Sequence, residues 1–174
     1  MKTNWLKALV ACSAAVVAQV AVAQQDFSKV EIKTEKLADT VYMMMGAGGN
    51  LGLSVGEDAV FVIDDQFAPL TPKIQAAIAA ITQQPVKFLL NTHWHFDHVG
   101  GNENLGKAGA LIFAHENVRK RMSTEQLIEF FGMKTKPEPK VALPVVTFTR
   151  DVSFHINGDE VRAFHVARAH TDGD

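Results

Sequence analysis

The chain has 174 residues, 47% of them hydrophobic, and a formal net charge of −2 at pH 7. This length and hydrophobic content suit one globular domain that buries its own core. The lysines and arginines form no basic stripe along the sequence, which argues against nucleic acid as a partner.

The first 23 residues are predicted to be a secretory signal peptide. Lys2 and Lys7 make a basic start, residues 8–22 are mainly apolar, and the small residues at 21–23 suit a cleavage site. The apolar run is shorter than the ~20 residues that a membrane span needs, so no membrane attachment is expected after cleavage. We therefore expect export across the inner membrane to the periplasm, with a mature domain at 24–174.

Cys12 is the only cysteine in the chain, and it lies inside the predicted signal peptide. Residues 9–12 resemble a lipid-attachment site, but the apolar stretch between Lys7 and Cys12 is short, which favours cleavage after Ala23. The mature stretch then has no disulfide bond, and no thiolate can act as its nucleophile or metal ligand.

Short strands joined by glycines are predicted at the start of the mature domain. The segments 30–36, 40–45 and 51–55 have strand character, and the glycine-rich turn 46–50 joins the last two into a hairpin. The tip of such a hairpin can move. The methionines at 43–45 fit either a flap over a substrate or ordinary packing within the hairpin.

A strand–helix–strand unit is predicted next. The β-branched run 59–63 is followed by a helix, with Thr71 as its N-cap and Pro72 as its first helical residue. Pro85 ends the helix, and 86–90 is the second strand. The helix presents one apolar face made of three isoleucines, Ile74, Ile78 and Ile81. A polar loop after such a unit lies at the strand ends, where sites are commonly built.

Two further helices are predicted in the second part of the domain. The first is short and covers 116–122. The second runs from Ser123 to Phe131, because Ser123 and Gln126 have the spacing of a capping box and Gly132 suits the helix end.

The remaining elements of the second part are predicted to be strands and a loop. The strands lie at 110–114, 145–149, 152–156 and 159–166. Asn157-Gly158 is the strongest hairpin signal in the chain and joins the last two strands. The segment 134–144 contains three prolines and is predicted to be a loop. Strands interleaved with helices and followed by hairpins indicate a mixed α/β (α+β) domain.

The hexapeptide HWHFDH at 93–98 directly follows the predicted strand 86–90. Imidazoles and carboxylates are ligands that zinc prefers. If the loop is extended, alternate side chains project the same way, so that His93, His95 and Asp97 converge. The aromatic residues between them would wall the site, and His98 would point elsewhere and serve a second metal ion.

Two stretches resemble the signatures of one protein family. Residues 91–102, NTHWHFDHVGGN, closely resemble the signature of the metallo-β-lactamase superfamily, and 169–174, AHTDGD, resemble its second histidine motif. The resemblance implies an αββα sandwich that binds two zinc ions. It implies three ligands for the first zinc ion, His93, His95 and His170, and it places Asp97 and His98 in the second site. Asp97 is also the family's candidate for orienting or deprotonating the attacking water, which makes it the expected catalytic residue.

The resemblance also implies an activity. Three neutral imidazoles leave zinc an open position for water, whose pKa can then fall to about 7. The expected reaction is hydrolysis of an ester, thioester or lactam-type bond in a small-molecule substrate. Family members continue beyond the position of Asp174 and carry further ligands there, so the chain is interpreted as the N-terminal part of the domain. The alternatives are an iron-dependent oxidoreductase of the same fold, such as a persulfide dioxygenase, and an inactive metal-binding remnant.

Other polar residues carry weaker signals. Asp64 either orients the metal loop by accepting hydrogen bonds or is a turn residue at a strand end, and Asp65 could take the same role. His115 is predicted to act locally at the start of a helix, and His165 to be a satisfied, partly buried histidine. The basic residues at 119–121 are predicted to form a solvated helix face.

Overall fold

The computed structural model describes residues 26–128 and 132–174, so the predicted signal peptide at 1–23 lies outside the described residues. The described strands are β1 (Lys33–Lys36), β2 (Val41–Met45), β3 (Leu51–Val55), β4 (Val60–Ile63), β5 (Val86–Leu90), β6 (Leu111–His115), β7 (Gln126–Ile128), β8 (Met133–Thr135), β9 (Val146–Phe148), β10 (Asp151–Ile156) and β11 (Asp159–Phe164). The described α-helices are α1 (Thr71–Ala79), α2 (Phe96–Val99), α3 (Asn102–Lys107) and α4 (Glu116–Met122), and short 3₁₀ turns lie at Ala68–Leu70 and Lys140–Ala142. None of the helices in the described ranges is long and apolar enough to cross a membrane.

Seven strands form the main sheet in the order β1-β2-β3-β4-β5-β6-β9. The first four strands pair antiparallel as a meander, and β4, β5, β6 and β9 then pair in parallel. Helix α1 connects β4 to β5, as the predicted strand–helix–strand unit requires. The carboxyl ends of the parallel strands therefore meet at one edge, and the loop that carries 93–98 leaves the sheet there.

The two faces of the main sheet are covered differently. One face packs on α1 and α3 through a core that includes Ile74, Leu89 and Leu105. On the other face, Phe61 contacts Phe154 of the β10–β11 hairpin, with ring centroids 4.9 Å apart. A helical layer, a large sheet and the beginning of a second sheet are thus stacked in the order that the predicted sandwich requires.

The predicted helix over 123–131 is wrong in its described part, residues 123–128, and residues 129–131 lie outside the described residues. Strands β7 and β8 pair antiparallel in this region, in a two-stranded sheet. Ser123 ends α4 instead of starting a new helix, because its hydroxyl donates to the carbonyl oxygen of Arg119 at 2.8 Å. A serine hydroxyl serves either end of a helix, so the capping-box spacing alone was not decisive. The predicted loop at 134–144 is correspondingly shorter. Strand β8 occupies its first two residues, and a 3₁₀ turn covers Lys140–Ala142.

The predicted N-cap of α1 is also wrong. The helix begins at Thr71, its N-cap is Leu70, and no side chain caps it. The Thr71 hydroxyl instead accepts a hydrogen bond from Asn104 Nδ2 at 3.1 Å. Asn104 belongs to α3, which the sequence did not predict. A tertiary contact with a neighbouring helix has therefore replaced the local cap.

Asn157 and Gly158 form the tight turn predicted between β10 and β11. Both residues have positive φ angles, 57° and 83°, as the hairpin turn with two left-handed residues requires. The Asn157 side chain also reaches the main sheet, where Nδ2 donates to Ser54 Oγ at 2.9 Å and to the carbonyl oxygen of Ala59 at 3.0 Å. The turn thus fastens the second sheet to the first.

We expect Asn157→Ala to lower the free energy of unfolding by about 1–3 kcal/mol, because buried polar groups of the β3–β4 region lose their partner. Alanine also tolerates the left-handed conformation less well than asparagine. Urea unfolding followed by circular dichroism measures the change. A loss of less than about 0.5 kcal/mol, typical of a surface substitution, would contradict this role.

Candidate metal centre

The loop after β5 is closed at its base by two buried asparagines. Asn91 and Asn102 exchange side-chain hydrogen bonds, at 3.0 Å and 2.9 Å. Asn91 Nδ2 also donates to the carbonyl oxygen of His98 at 3.3 Å. Because both amides are buried and bonded to each other, the two ends of the loop have a defined separation.

Three histidines converge at the edge of the sheet. The ligand atoms of His93, His95 and His170 lie within 4.8 Å of one another. The ring centroids are 4.9, 5.1 and 4.8 Å apart, and each pair of rings is nearly perpendicular. His95 Nδ1 and His170 Nε2 approach to 3.0 Å. The fold therefore brings together the histidines that the sequence assigned to the first metal ion, one of them from a distant segment.

The metal loop was predicted to be extended, but only its first part is. His93 and His95 precede α2, whose helical turn begins at Phe96 and contains Asp97 and His98. As a result the His98 ring does not point elsewhere: its centroid lies 4.0 Å from that of His93. Asp97 Oδ2 lies 3.5 Å from His98 Nε2. Asp97 and His98, the two residues predicted for the second metal site, thus lie next to each other, and His98 also lies next to His93 of the first site.

The aromatic residues of the loop pack in different directions. Trp94 lies against the His95 ring, with centroids 4.7 Å apart, and also packs on the cluster that contains Val118 of α4. Phe96 packs against Phe67, at 5.8 Å. Both residues therefore support the metal loop through packing: Trp94 contacts His95 directly, and Phe96 joins the loop to Phe67.

Asp64 accepts three hydrogen bonds at the end of β4. Its Oδ1 accepts from the Thr92 backbone N–H at 2.8 Å, and its Oδ2 accepts from the Thr92 hydroxyl and from His98 Nδ1, each at 2.7 Å. A carboxylate only accepts, so His98 carries its proton on Nδ1, and Nε2 keeps the lone pair that a metal ion needs. The Thr92 hydroxyl, having donated to Asp64, accepts from His93 Nδ1 at 3.1 Å. Asp64 therefore determines the tautomers of both histidines.

The segment after Asp64 is held in an uncommon backbone conformation. Asp64 and Gln66 have φ angles of 61° and 55°, in the left-handed region that residues with a Cβ atom seldom occupy. Asp65 Oδ1 accepts from the Gly101 backbone N–H at 2.9 Å. The two aspartates therefore divide the role left open in the sequence: Asp64 holds the beginning of the metal loop, and Asp65 holds its end.

Electrostatics keep two of the three first-site histidines neutral. Burial lowers the pKa of His93 to about 4, and the neighbouring His98 adds to this effect. Burial and the nearby His170 also lower the pKa of His95. Burial opposes a charge on His98 too, but the hydrogen bond and the charge of Asp64 outweigh it and raise the His98 pKa. Because neutral imidazole is the form that binds a metal ion, His93 and His95 are ready to act as ligands at neutral pH.

The glycine-rich tip of the β2–β3 hairpin lies directly over α2. A Cβ atom on Gly48, which has a φ of 80°, would lie 2.7 Å from the Cβ of Asp97, and one on Gly49 would collide with the His98 ring. Gln66, which is fully buried, donates from Nε2 to the Gly49 carbonyl oxygen at 2.5 Å. The tip therefore packs against the candidate site, and Gln66 is a supporting residue that the sequence analysis missed.

The histidines outside the cluster have local roles. His115 accepts from the Asn117 backbone N–H at the start of α4, as predicted. His165 is partly buried, also as predicted, and its Nδ1 donates to the carbonyl oxygen of Asp174 at 2.9 Å. The two rings stack with centroids 3.9 Å apart. Both are held by packing and backbone hydrogen bonds, and neither belongs to the three-histidine cluster.

The predicted solvated face at 119–121 is only partly correct. Lys120 is exposed, but Arg119 donates to the carbonyl oxygen of Pro144. Arg121 pairs with Asp172, two residues beyond His170, at 2.8 Å. The partners are 51 residues apart in the sequence, so no local pattern could have indicated this contact.

Comparison with known proteins identifies the family and the fold. A family model described as the metallo-beta-lactamase superfamily matches residues 47–174. The chain belongs to the metallo-β-lactamase superfamily, and the fold predicted from its histidine motifs is confirmed.

Solved structures of the same fold resemble the chain over most of its length. A class B3 di-zinc metallo-β-lactamase from an Alaskan soil metagenome has 21% sequence identity and a TM-score of 0.72, with 87% of this chain and 58% of that chain covered. A subclass B3 metallo-β-lactamase from a soil metagenome library has 22% identity and a TM-score of 0.69, with 82% and 55% covered. A third metallo-β-lactamase, in a complex with mercaptoacetic acid, has 19% identity and a TM-score of 0.69, with 86% and 58% covered. The chain thus spans less than three fifths of the length of each of these structures.

Proposed function

We propose that the protein is a metal-dependent hydrolase that acts through zinc held at the edge of the main sheet. The observation that supports this most is the convergence of three imidazole ligand atoms within 4.8 Å, from His93, His95 and His170. Membership of the superfamily supports the proposal too, because the family model matches residues 47–174, which contain all three histidines. The substrate is a small molecule with an ester, thioester or lactam-type bond.

The donor set fits zinc. His93 and His95 are neutral near pH 7 because burial lowers the pKa of each ring, and zinc binds neutral imidazole readily. Asp97 and His98 would contribute to a second zinc ion beside the first. When bound by such ligands, zinc lowers the pKa of a coordinated water molecule and polarises the carbonyl group to be attacked.

The residues of the chain supply the rest of the chemistry. The Asp97 side chain is 28% exposed, so its carboxylate is accessible to a water molecule and can orient it or accept its proton at Oδ2. Asp64 holds His98 in the tautomer that presents Nε2. Trp94 packs behind His95 and limits its movement.

Export forms a further part of the proposal. The basic start, the apolar run and the small residues at 21–23 support cleavage after Ala23 and delivery to the periplasm.

Metal removal and replacement test the proposed activity. The purified protein is stripped with a chelator, reloaded with zinc or with ferrous iron, and assayed on a chromogenic β-lactam, a thioester and a phenyl ester. We expect zinc to restore hydrolysis of at least one substrate. Iron-dependent oxygen consumption with a persulfide would favour the oxidoreductase alternative instead. Metal uptake without any turnover would indicate a non-catalytic metal-binding protein.

A further inference from the structure

The position of His170 is not explained by burial. His170 and its neighbour Ala169 are exposed, and the segment from His165 to Asp174 contains no helix or strand. Nevertheless the imidazole must be placed within a few ångströms of His93 and His95 to act as a ligand. Something other than core packing has to hold this segment.

Part of the segment is held by its own turn. The Asp174 carboxylate accepts from both the backbone N–H and the hydroxyl of Thr171. The Asp174 carbonyl oxygen accepts from the Val166 backbone N–H at 2.8 Å. These contacts shape the turn internally, but they do not fix its position relative to the metal loop.

Helix α4 makes the contacts that fix that position. Arg121 donates to the Asp172 carboxylate from Nε, at 3.2 Å to Oδ1 and 3.1 Å to Oδ2, and from Nη2 to Oδ2 at 2.8 Å. Asn117 Nδ2 donates to the Asp172 carbonyl oxygen at 2.7 Å. A Cβ atom on Gly173 would lie 2.9 Å from Val118 Cγ2, so the backbone of the turn rests on the helix. An arginine fork that engages a carboxylate through two nitrogen atoms restricts its orientation as well as its distance.

The neighbouring apolar face of α4 contacts the first histidine motif. Val118 and Met122 are buried in a cluster that also contains Val99 of α2, and Trp94 of the metal loop packs against it. Trp94 in turn lies against His95. One short helix therefore contacts both motifs: Val118 and Met122 pack towards the first, and Arg121 and Asn117 bind the second.

We propose that Arg121 is a positioning residue that places His170 against His93 and His95 by holding Asp172 on α4. The inference rests on the metal centre proposed above. Arg121 does not touch the metal-binding atoms, and its effect passes through the two-residue step from Asp172 to His170. An exposed pair between an arginine and an aspartate contributes little to global stability, so its loss should affect metal binding far more than folding.

The test compares three single variants of the purified protein. Arg121→Met keeps the aliphatic stem but removes the guanidinium group, Arg121→Lys keeps the charge but not the fork, and Lys120→Met makes the same charge change on an exposed neighbour. Zinc affinity is measured by competition with a chromogenic chelator, and the thermal midpoint is measured without metal. The absorption spectrum of the cobalt-loaded protein reports how many imidazoles bind.

We expect Arg121→Met to weaken zinc binding about 10–100-fold, the usual effect of losing a group that orients a ligand. The cobalt spectrum should change towards fewer nitrogen ligands, Arg121→Lys should bind with intermediate affinity, and Lys120→Met should bind like the wild type. The thermal midpoints without metal should be similar in all three variants. Equal zinc affinities for Arg121→Met and Lys120→Met would overturn the inference.

A reciprocal variant keeps the test decisive if Arg121→Met folds poorly. Asp172→Asn lies on an exposed turn and should weaken zinc binding to a similar extent, and the double variant should lose no more than either single variant. Additive losses would mean that Arg121 does not act through Asp172. If the wild-type protein itself binds no zinc, the proposed metal centre fails, and that result is distinct from wild-type binding that is unaffected by Arg121.

Discussion

Replacing His95 with alanine is expected to reduce metal-dependent turnover about 1000-fold or more, which corresponds to about 4 kcal/mol of transition-state stabilisation. His95 Nδ1 lies 3.0 Å from His170 Nε2, in the group of three ligand atoms. Its removal leaves only two imidazoles, too few to hold a catalytic zinc ion tightly. Steady-state rates and bound zinc per protein, measured together, give the result.

The fold should survive this substitution. His95 lies on the loop and is only partly buried, so the far-ultraviolet circular dichroism spectrum should remain that of the wild type. His155→Ala is a matched control, because His155 is exposed on β10. If His95→Ala retained both zinc and turnover, the assignment of the first site would be wrong.

The second large effect is expected for Asp64→Asn. The carboxylate accepts from Thr92 at both of its oxygens and from His98 Nδ1. An amide has only one acceptor atom, so at least one of these partly buried hydrogen bonds is lost and His98 is no longer held in one tautomer. We expect zinc affinity to fall about 10–100-fold and the free energy of unfolding to fall by about 1–3 kcal/mol.

The two expected effects of Asp64→Asn are measured separately. Chelator competition gives the zinc affinity, and urea unfolding without metal gives the stability. Asparagine is accepted in the left-handed conformation that Asp64 adopts, so the backbone itself should not be strained. Asp39→Asn makes the same change at an exposed carboxylate between β1 and β2 and should alter neither quantity. Wild-type zinc affinity in Asp64→Asn would show that Asp64 does not orient the ligands.

The sequence predicted the elements that depend on interactions between residues close together in the chain, and it failed where distant residues decide the structure. The strand–helix–strand unit β4–α1–β5 and the turn at Asn157 and Gly158 follow from local periodicity and local backbone preference, and both were predicted. The helix predicted from Ser123 to Phe131 failed, because the same residues can cap the end of α4 and then form the β7–β8 hairpin. Where a local sequence pattern is compatible with two structures, tertiary contacts decide which of them forms.

Asp64 illustrates which features of the site could be predicted from the sequence and which could not. Its place at the end of an apolar run indicated a hydrogen-bonding group, but Asp65 had an equal claim on the sequence alone. In the fold the two side chains have different partners: Asp64 binds Thr92 and His98, and Asp65 binds Gly101. Which of two adjacent aspartates faces which partner depends on a φ angle of 61° at Asp64, and no composition or spacing rule predicts that value.

The sequence by itself determined the family, the two histidine motifs and the chemistry they favour, because these depend on residue type and on spacing within a few positions. The tertiary structure decided what long-range contacts control: the convergence of His170 with His93 and His95, the tautomers imposed by Asp64, and the pairing of Arg121 with Asp172. Each of these joins residues that are far apart in the chain. Their geometry follows from the packing of α4 and the order of the parallel strands, since both are settled only when the whole domain has folded.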